Sequence, residues 1–504
     1  MSRKKRFLLN TATGLIKQIV TVICGFILPR YMLKYYGSTV NGLVSSLTHF
    51  LGFISLLDMG VGSVIHANLY KPLAEKDKNR ISEVVKASER FFRKLGCIFL
   101  AYIGILCFII PDIVEGPFST WYTISLLIII SISTFAQYLF GMTYQLLLNA
   151  DQKSYVHLSI QIVTVILNTV LAIILIQCGA SIHIVKLMSA SLFVFRPIVQ
   201  MLYVHKHYDI DHSIKIIGEP IKQKWNGFSQ HMAAVVCNNV DVVTLTLFST
   251  LENVSIYSVY YNITNGIEQV VLTAATGLES LFGNMISKGE KEKLHETFCT
   301  VEWITHAGVT IVFTVAALTI VPFISVYTRG ITDANYITPV FGSLLVIAYG
   351  SQCLRVPYFR LIKAAGHFKE TQNGAYISAG LNILITIALV FRYGLIGAAI
   401  GTLVAMSYHT CYFVWYLRKN IINRSVKHFV VYMIIDSFVA IISYLLTKGL
   451  IANCSSYGEW VILTVKVLLI VLTVSAVVHI VTSRAQIKKM VRLLKKDDKK
   501  RRTR

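Results

Sequence analysis

Four ionisable side chains, Lys17, Asp241, Glu268 and Arg355, stand inside long apolar runs of the sequence. At the centre of a bilayer such a group costs about 3 kcal/mol or more on insertion scales, so it faces a bundle interior, a partner or a wet cavity. Their neighbours share their faces. Asn10, Thr13, Lys17 and Thr21 fall at i, i+3, i+7 and i+11, while Ile16, Ile19, Val20 and Ile23 cover much of the remainder. His231, Asn238 and Asp241 fall at i, i+7 and i+10, and Tyr261, Asn265, Glu268, Ala275 and Glu279 at i, i+4, i+7, i+14 and i+18. Gln352 accompanies Arg355, and Gln137, Tyr138, Gly141, Tyr144 and Gln145 share one side of another helix. Asp58 and Lys186 are further isolated charges. Glu279, Lys186, Lys466 and Asp436 also have ordinary readings as interfacial, snorkelling or packing groups. Together the stripes predict a hydrated cleft between two halves of the chain, for which transport is the simplest use. No hydrolytic or group-transfer constellation accompanies them. No enzyme activity is expected.

The elements that must position these residues are membrane helices. The chain has 504 residues, 55% hydrophobic and 14% charged, with a mean hydropathy of +0.61, which excludes a soluble domain. Apolar runs long enough to cross about 30 Å of hydrocarbon recur from Phe7 to Val481. The predicted spans are 8–30, 42–67, 91–111, 121–146, 156–177, 182–204, 227–249, 256–284, 300–327, 337–360, 374–391, 396–417, 428–447 and 460–481, fourteen in all. The net charge of +23 is concentrated at their ends. Arg3, Lys4, Lys5 and Arg6, the connections holding Lys71 to Arg80, Lys206 to Lys224 and Lys288 to Lys293, and the tail LLKKDDKKRRTR are basic, whereas PDIVEGPFST, QCGASIH and STLENVS contain no Lys or Arg. That asymmetry predicts both termini in the cytoplasm. It makes the tail an anchor on anionic lipid and argues against nucleic acid as a partner. The basic start SRKKR lacks a cleavage site and reads as an uncleaved first helix. Nine cysteines without a C-x-x-C spacing, and His205 and His207 in a polar linker, predict neither disulfides nor a metal site.

The sequence also repeats itself at a spacing of roughly 215 residues. LLLNADQKSYVHLSIQIVTVILNTVLAIILI aligns with RLIKAAGHFKETQNGAYISAGLNILITIALV, pairing Ala150 with Ala364 and Asn168 with Asn382. GASIHIVKLMSA pairs with GLIGAAIGTLVA, and, more weakly, Gly60 lies over Gly277. The expected fold is an all-α polytopic membrane protein. It has an N-lobe of six helices (1–205), a cytoplasmic linker (206–224), a C-lobe of six helices (225–418), two further helices (419–483) and a basic tail (484–504). An even helix number per lobe implies a pseudo-two-fold axis along the membrane normal.

ILPRYMLKYYGSTVNGLVSSLTHFLGFISLLDMGVGSVI, NNVDVVTLTLFSTLENVSIYSVYYNI and YGLIGAAIGTLVA resemble, in order and spacing, segments of the polysaccharide repeat-unit flippases, members of the multidrug, oligosaccharidyl-lipid and polysaccharide exporter superfamily. The resemblance covers most of the chain and is least distinctive in the last two helices. It implies alternating access in a bacterial cytoplasmic membrane, with undecaprenyl-diphosphate-linked oligosaccharide as substrate, no cofactor beyond an H⁺ or Na⁺ coupling ion, and a polysaccharide polymerase and glycosyltransferases as partners. Arg30 would match an arginine at the external mouth, and Asp241 the aspartate of the seventh helix. For such a substrate Lys17, Arg355 and Lys186 would hold the diphosphate, and Asn10, Asn238, Asn265, Gln137 and Gln352 the sugars. Asp58, Asp241 and Glu268 would balance cations, bind the ion or close a gate. The alternatives are a flippase for the peptidoglycan precursor, a cation-coupled multidrug antiporter and a non-transport scaffold of a polysaccharide-synthesis complex.

Overall fold

The computed structural model describes residues 3–58, 61–114, 116–214, 216, 228–451, 454–484 and 486. Every regular element among them is helical. Thirteen stretches of the described residues are long and apolar enough to cross a membrane. The first is a 50-residue run that Gly37, at φ +82°, divides into two helices, which brings the thirteen to the fourteen expected. The chain is a multi-pass membrane protein.

The helices gather into two units: residues 1–262 with 331–334 and 390–398, and residues 263–330 with 335–389 and 399–504. The first unit contains α1 (Arg3–Gly52), a 3₁₀ segment (Phe53–Asp58), α2 (Val61–Glu75), α3 (Lys78–Ile113), α4 (Thr120–Ala136), a π-helical segment (Gln137–Gly141), α5 (Met142–Ala150), α6 (Ser154–Gln177), α7 (Ile182–His207), α8 (Phe228–Phe248) and the first half of α9 (Leu251–Ala274). The second takes the rest of α9, α10 (Leu278–Ser287), α11 (Lys291–Tyr327), α12 (Pro339–Leu354), α13 (Val356–Ala364), most of α14 (Gln372–Tyr393) and α15 (Leu395–Asn420), then α16 (Val426–Thr447) and α17 (Tyr457–Thr482). The element order repeats as the sequence does. α4, interrupted at Gln137–Gly141 before α5, corresponds to α12, interrupted at Arg355 before α13, and α6 and α7 correspond to α14 and α15. The paired residues Asn168 and Asn382 are both buried.

Several boundaries differ from the predicted spans because helices continue past their apolar windows. α3 and α11 begin at Lys78 and Lys291, well before the hydrophobic windows at 91 and 300. In α3 the polar segment keeps helical periodicity and buries Ile81, Val84, Val85 and Ser88 on one face. The second crossing starts at Ser38 and not at 42, because a left-handed glycine resets the chain there. Asp333 caps this restart: its carboxylate accepts from the Ser38 N–H at 2.6 Å and from the Ser38 hydroxyl at 2.7 Å, satisfying donors that a new helix leaves open.

From that point a polar seam fastens the second half of α1 to α8 and α9. Thr39 donates to Glu252 at 2.8 Å, Asn41 to the Ser255 hydroxyl at 2.8 Å, Ser46 pairs with Thr246 at 2.7 Å, and His49 Nδ1 lies 3.1 Å from Asn239 Oδ1. Small residues allow the approach: a Cβ on Gly42 would sit 1.9 Å from the Leu251 carbonyl oxygen, and one on Gly52 would sit 2.5 Å from Asn239 Oδ1. In the second unit a Cβ on Gly401 would sit 2.1 Å from the Thr386 hydroxyl, while the Asn382 amide donates to Thr402 at 3.3 Å. The apolar core of the first unit gathers Leu43, Leu47, Val61, Phe92, Phe99, Leu126 and Leu147.

Gly42→Leu is expected to lower stability by about 1–3 kcal/mol, the usual cost of overpacking. Gly14→Leu, at a position with nothing within 4 Å of the new Cβ, leaves it unchanged. Thermal unfolding of the detergent-solubilised protein compares the two.

Candidate functional site

In the first unit the polar interruption of α8 is built into the seam. Asp241 is 1% exposed, and the Tyr257 hydroxyl donates to its Oδ2 at 2.7 Å. Tyr257 stacks on Tyr261, whose ring meets His49 edge-on at 5.8 Å. The face predicted for His231, Asn238 and Asp241 divides. His231 Nε2 lies 2.7 Å from the Ser55 carbonyl oxygen, Asp241 is buried, and Asn238 is exposed. The neighbouring Asn239, not singled out by the periodicity, supplies the side-chain contact to His49. The whole group rests on α1, whose polar residues read in sequence only as part of a helix. Their role is visible only with α8 and α9 packed against them. Asp58 ends the 3₁₀ segment, and its side chain lies outside the described residues, as do Lys215, Lys222, Lys224 and the tail from 487 onward.

The cations of this unit lie elsewhere. Lys17 and Lys186 are half-buried and make no hydrogen bond or ion pair among the described residues. The Arg196 guanidinium on α7 acts electrostatically on the Lys17 ammonium, and Lys17 in turn acts on His157. Arg196 donates to Thr164 at 2.6 Å and stacks over Phe193 at 4.1 Å. Sequence reasoning passed over Arg196, although its place in an apolar span was the signal used for Lys17. Asn10 is committed to the start of α6: it donates to the Gln152 carbonyl at 2.9 Å and accepts from the Tyr155 N–H at 2.8 Å. Gln137, in the π-helical segment, donates to Gln145 at 3.1 Å and crowds Gly141, where a Cβ would sit 2.6 Å from its Oε1. Such π-turns often mark functional positions. Arg30 is half-buried directly after Pro29.

In the second unit the structure brings three predicted residues together. Glu268, 4% exposed, accepts from the Gln352 amide and lies in the field of Arg355. Arg355 occupies the break between α12 and α13, where Pro357 prevents the helix from running straight on. Its guanidinium donates to His409 Nδ1 at 2.7 Å, which assigns the neutral tautomer to that imidazole, and its plane lies 5.9 Å from the Phe413 ring centroid. Asn265 is half-buried one helical turn before Glu268. A buried ion pair was not anticipated: Arg424, 9% exposed, pairs with Glu302, 1% exposed. The Tyr358 hydroxyl donates to the same carboxylate, and Arg424 reaches Cys299 Sγ at 2.8 Å. Glu279 pairs instead with Lys363 at 3.2 Å and Arg360 at 3.4 Å.

No family description and no curated protein sequence matches the chain. Solved structures do match its fold. The chain is similar to the lipid II flippase MurJ in an inward closed conformation, at TM-score 0.69 and 15% identity over 94% of this chain and 99% of that one. It is also similar to an inward-facing multidrug resistance MATE transporter of the MOP superfamily, at TM-score 0.54 and 13% identity over 80% and 96% of the two chains. A MOP superfamily transporter from Pyrococcus furiosus matches at TM-score 0.57 and 13% identity over 84% and 98%. The fold is therefore that of the MOP transporters.

Removing one partner of a buried ion pair leaves an uncompensated charge and costs about 3–5 kcal/mol. Arg424→Ala is expected to lower thermal stability on that scale. Arg424→Met combined with Glu302→Gln should recover much of the loss in the same unfolding assay.

Proposed function

We propose that the chain is a flippase that carries undecaprenyl-diphosphate-linked oligosaccharide repeat units across the bacterial cytoplasmic membrane by alternating access, for export of a capsule or O-antigen type of polysaccharide. The observation that supports this reading most directly is the pairing of like charges in the first unit. Lys17 and Arg196 repel one another inside apolar helices, and no carboxylate among the described residues pairs with either. Two mutually repelling cations in a low-dielectric setting are relieved by a polyanion, and a lipid diphosphate is one. Lys186 would extend the same anion site. Arg30 would contact the substrate further along its path, with Asn238 toward the glycan. Asn10 and Gln137 already have protein partners, and in this reading they hold helices that carry the site. Asp241 and Glu268 would bind the H⁺ or Na⁺ coupling ion or act as gates, and both termini would face the cytoplasm beside the polymerase and glycosyltransferases.

A second reading, a flippase for the peptidoglycan precursor, draws support from the likeness to the lipid II flippase MurJ over 94% of the chain. Two host strains separate them. Growth restored in cells depleted of their own precursor flippase favours the second reading; surface polymer restored in cells lacking a repeat-unit flippase favours the first.

Within whichever host responds, Lys17→Ala should insert at normal level yet lower transport about tenfold or more, the value of one charge-assisted contact. Lys17→Arg should restore much of it. Normal transport by the alanine variant at normal protein level overturns the role given to Lys17.

A further inference from the structure

Two imidazoles and a carboxylate meet where α11, α16 and α17 pack, apart from every residue assigned above to the substrate or its coupling ion. His306 on α11 is fully buried, and its Nδ1 lies 2.6 Å from Oδ2 of Asp436 on α16. Asp436 is 8% exposed, yet among the described residues its Oδ1 has no hydrogen-bond partner, and neither has His306 Nε2. On α17, His479 Nδ1 lies 3.3 Å from Trp303 Nε1, and its Nε2 is also unpartnered.

Donor and acceptor rules fix the tautomers. An indole N–H only donates, so His479 Nδ1 accepts, and in the neutral ring the proton sits on Nε2. An ionised carboxylate only accepts, so His306 Nδ1 carries a proton. With His306 neutral, the pair bears one net negative charge and a bare Nε2. With one further proton on Nε2 the pair is a neutral imidazolium–carboxylate, and no other bond is made or broken.

Among the described residues no other group cancels that charge. The groups facing the pair are Tyr432, whose ring centroid is 5.1 Å from that of His306, His479 on α17, and Glu302 one turn earlier on α11. Arg424 is held by Glu302, which also takes the Tyr358 hydroxyl. Asp436 itself borders a groove of about 1070 Å³ that runs between α11, α12, α15 and α16. The groove wall is apolar apart from hydroxyls such as Thr310, Ser351 and Ser407 and from Asp436. An ionised carboxylate on such a wall costs several kcal/mol unless its charge is cancelled. The bare Nε2 of a neutral His306 offers one lone pair, the acceptor that a single proton needs.

We propose that the His306–Asp436 pair is an H⁺-binding site at the edge of this groove, taking up one proton per chain. The site ties the state of α16 and α17 to that proton, and it stands whatever substrate the chain moves.

The test is nitrogen NMR of the full-length protein in lipid nanodiscs with labelled histidine and aspartate, His306 being assigned through its correlation to Asp436. Between about pH 5 and about pH 8, the window in which histidines titrate, His306 should convert between the Nδ1–H tautomer and imidazolium. Asp436→Asn should move the midpoint by at least about one pH unit. A His306 that keeps a single charge state across the window in the unaltered protein overturns the proposal, and so does an Asp436→Asn variant that titrates like the parent. If that variant does not fold, the titration of the unaltered protein decides by itself.

Discussion

A polar group inside hydrocarbon has no water to return to, and this single constraint organises the molecule. Each hydroxyl, amide or charge that the apolar helices carry must find a partner on another helix, be neutralised, or remain as a group that a ligand can satisfy. The seam along α1 shows the first outcome. Thr39, Asn41, Ser46 and His49 each meet a partner on α8 or α9, and glycine at 42 and 52 removes the bulk that would keep the helices apart. Since lipid tails are as apolar as leucine, such hydrogen bonds and close approaches, more than any hydrophobic drive, decide which helices pair.

The second unit solves the same problem with charge. α11 carries Glu302, Trp303 and His306 within little more than one turn, and each reaches a different element: Arg424 before α16, His479 on α17 and Asp436 on α16. The last two helices are thereby held by polar interactions as well as by the apolar packing of Val315 against Leu463, Val467 and Val471. Glu268, Gln352 and Arg355 form a separate group at a helix break, where the missing regular turn lets a guanidinium serve a neighbour. Lys17 and Arg196 differ from these groups in that neither has a carboxylate partner among the described residues, and Arg196 is held by the Thr164 hydroxyl.

Much of this was legible in advance. Hydropathy counts helices because spanning length is set by the bilayer, and the internal repeat survives because equivalent helices pack equivalent residues, as Asn168 and Asn382 do. Isolated charges flagged Lys17, Asp241, Glu268 and Arg355, each of which is buried or half-buried. Less legible were groups whose meaning depends on a partner far away in sequence. Asn10 reads as a free amide until Gln152 and Tyr155 are beside it, Asn239 looks equivalent to Asn238 until His49 distinguishes them, and Asp333 sits in a loop until it is found capping Ser38.

By itself the sequence determined the class of molecule, the number and approximate place of its helices, and which residues had to be accounted for, because those follow from local transfer free energies and from periodicity along one helix. The tertiary structure alone decided which polar residues are structural and which stay available. That choice depends on distances of about 3 Å between groups up to roughly 300 residues apart in the chain, and nothing in a single helix's pattern encodes its neighbour. Asp436 illustrates the difference: in sequence it is a packing residue in an apolar span, and in the fold it is half of an imidazole–carboxylate pair with one oxygen left open.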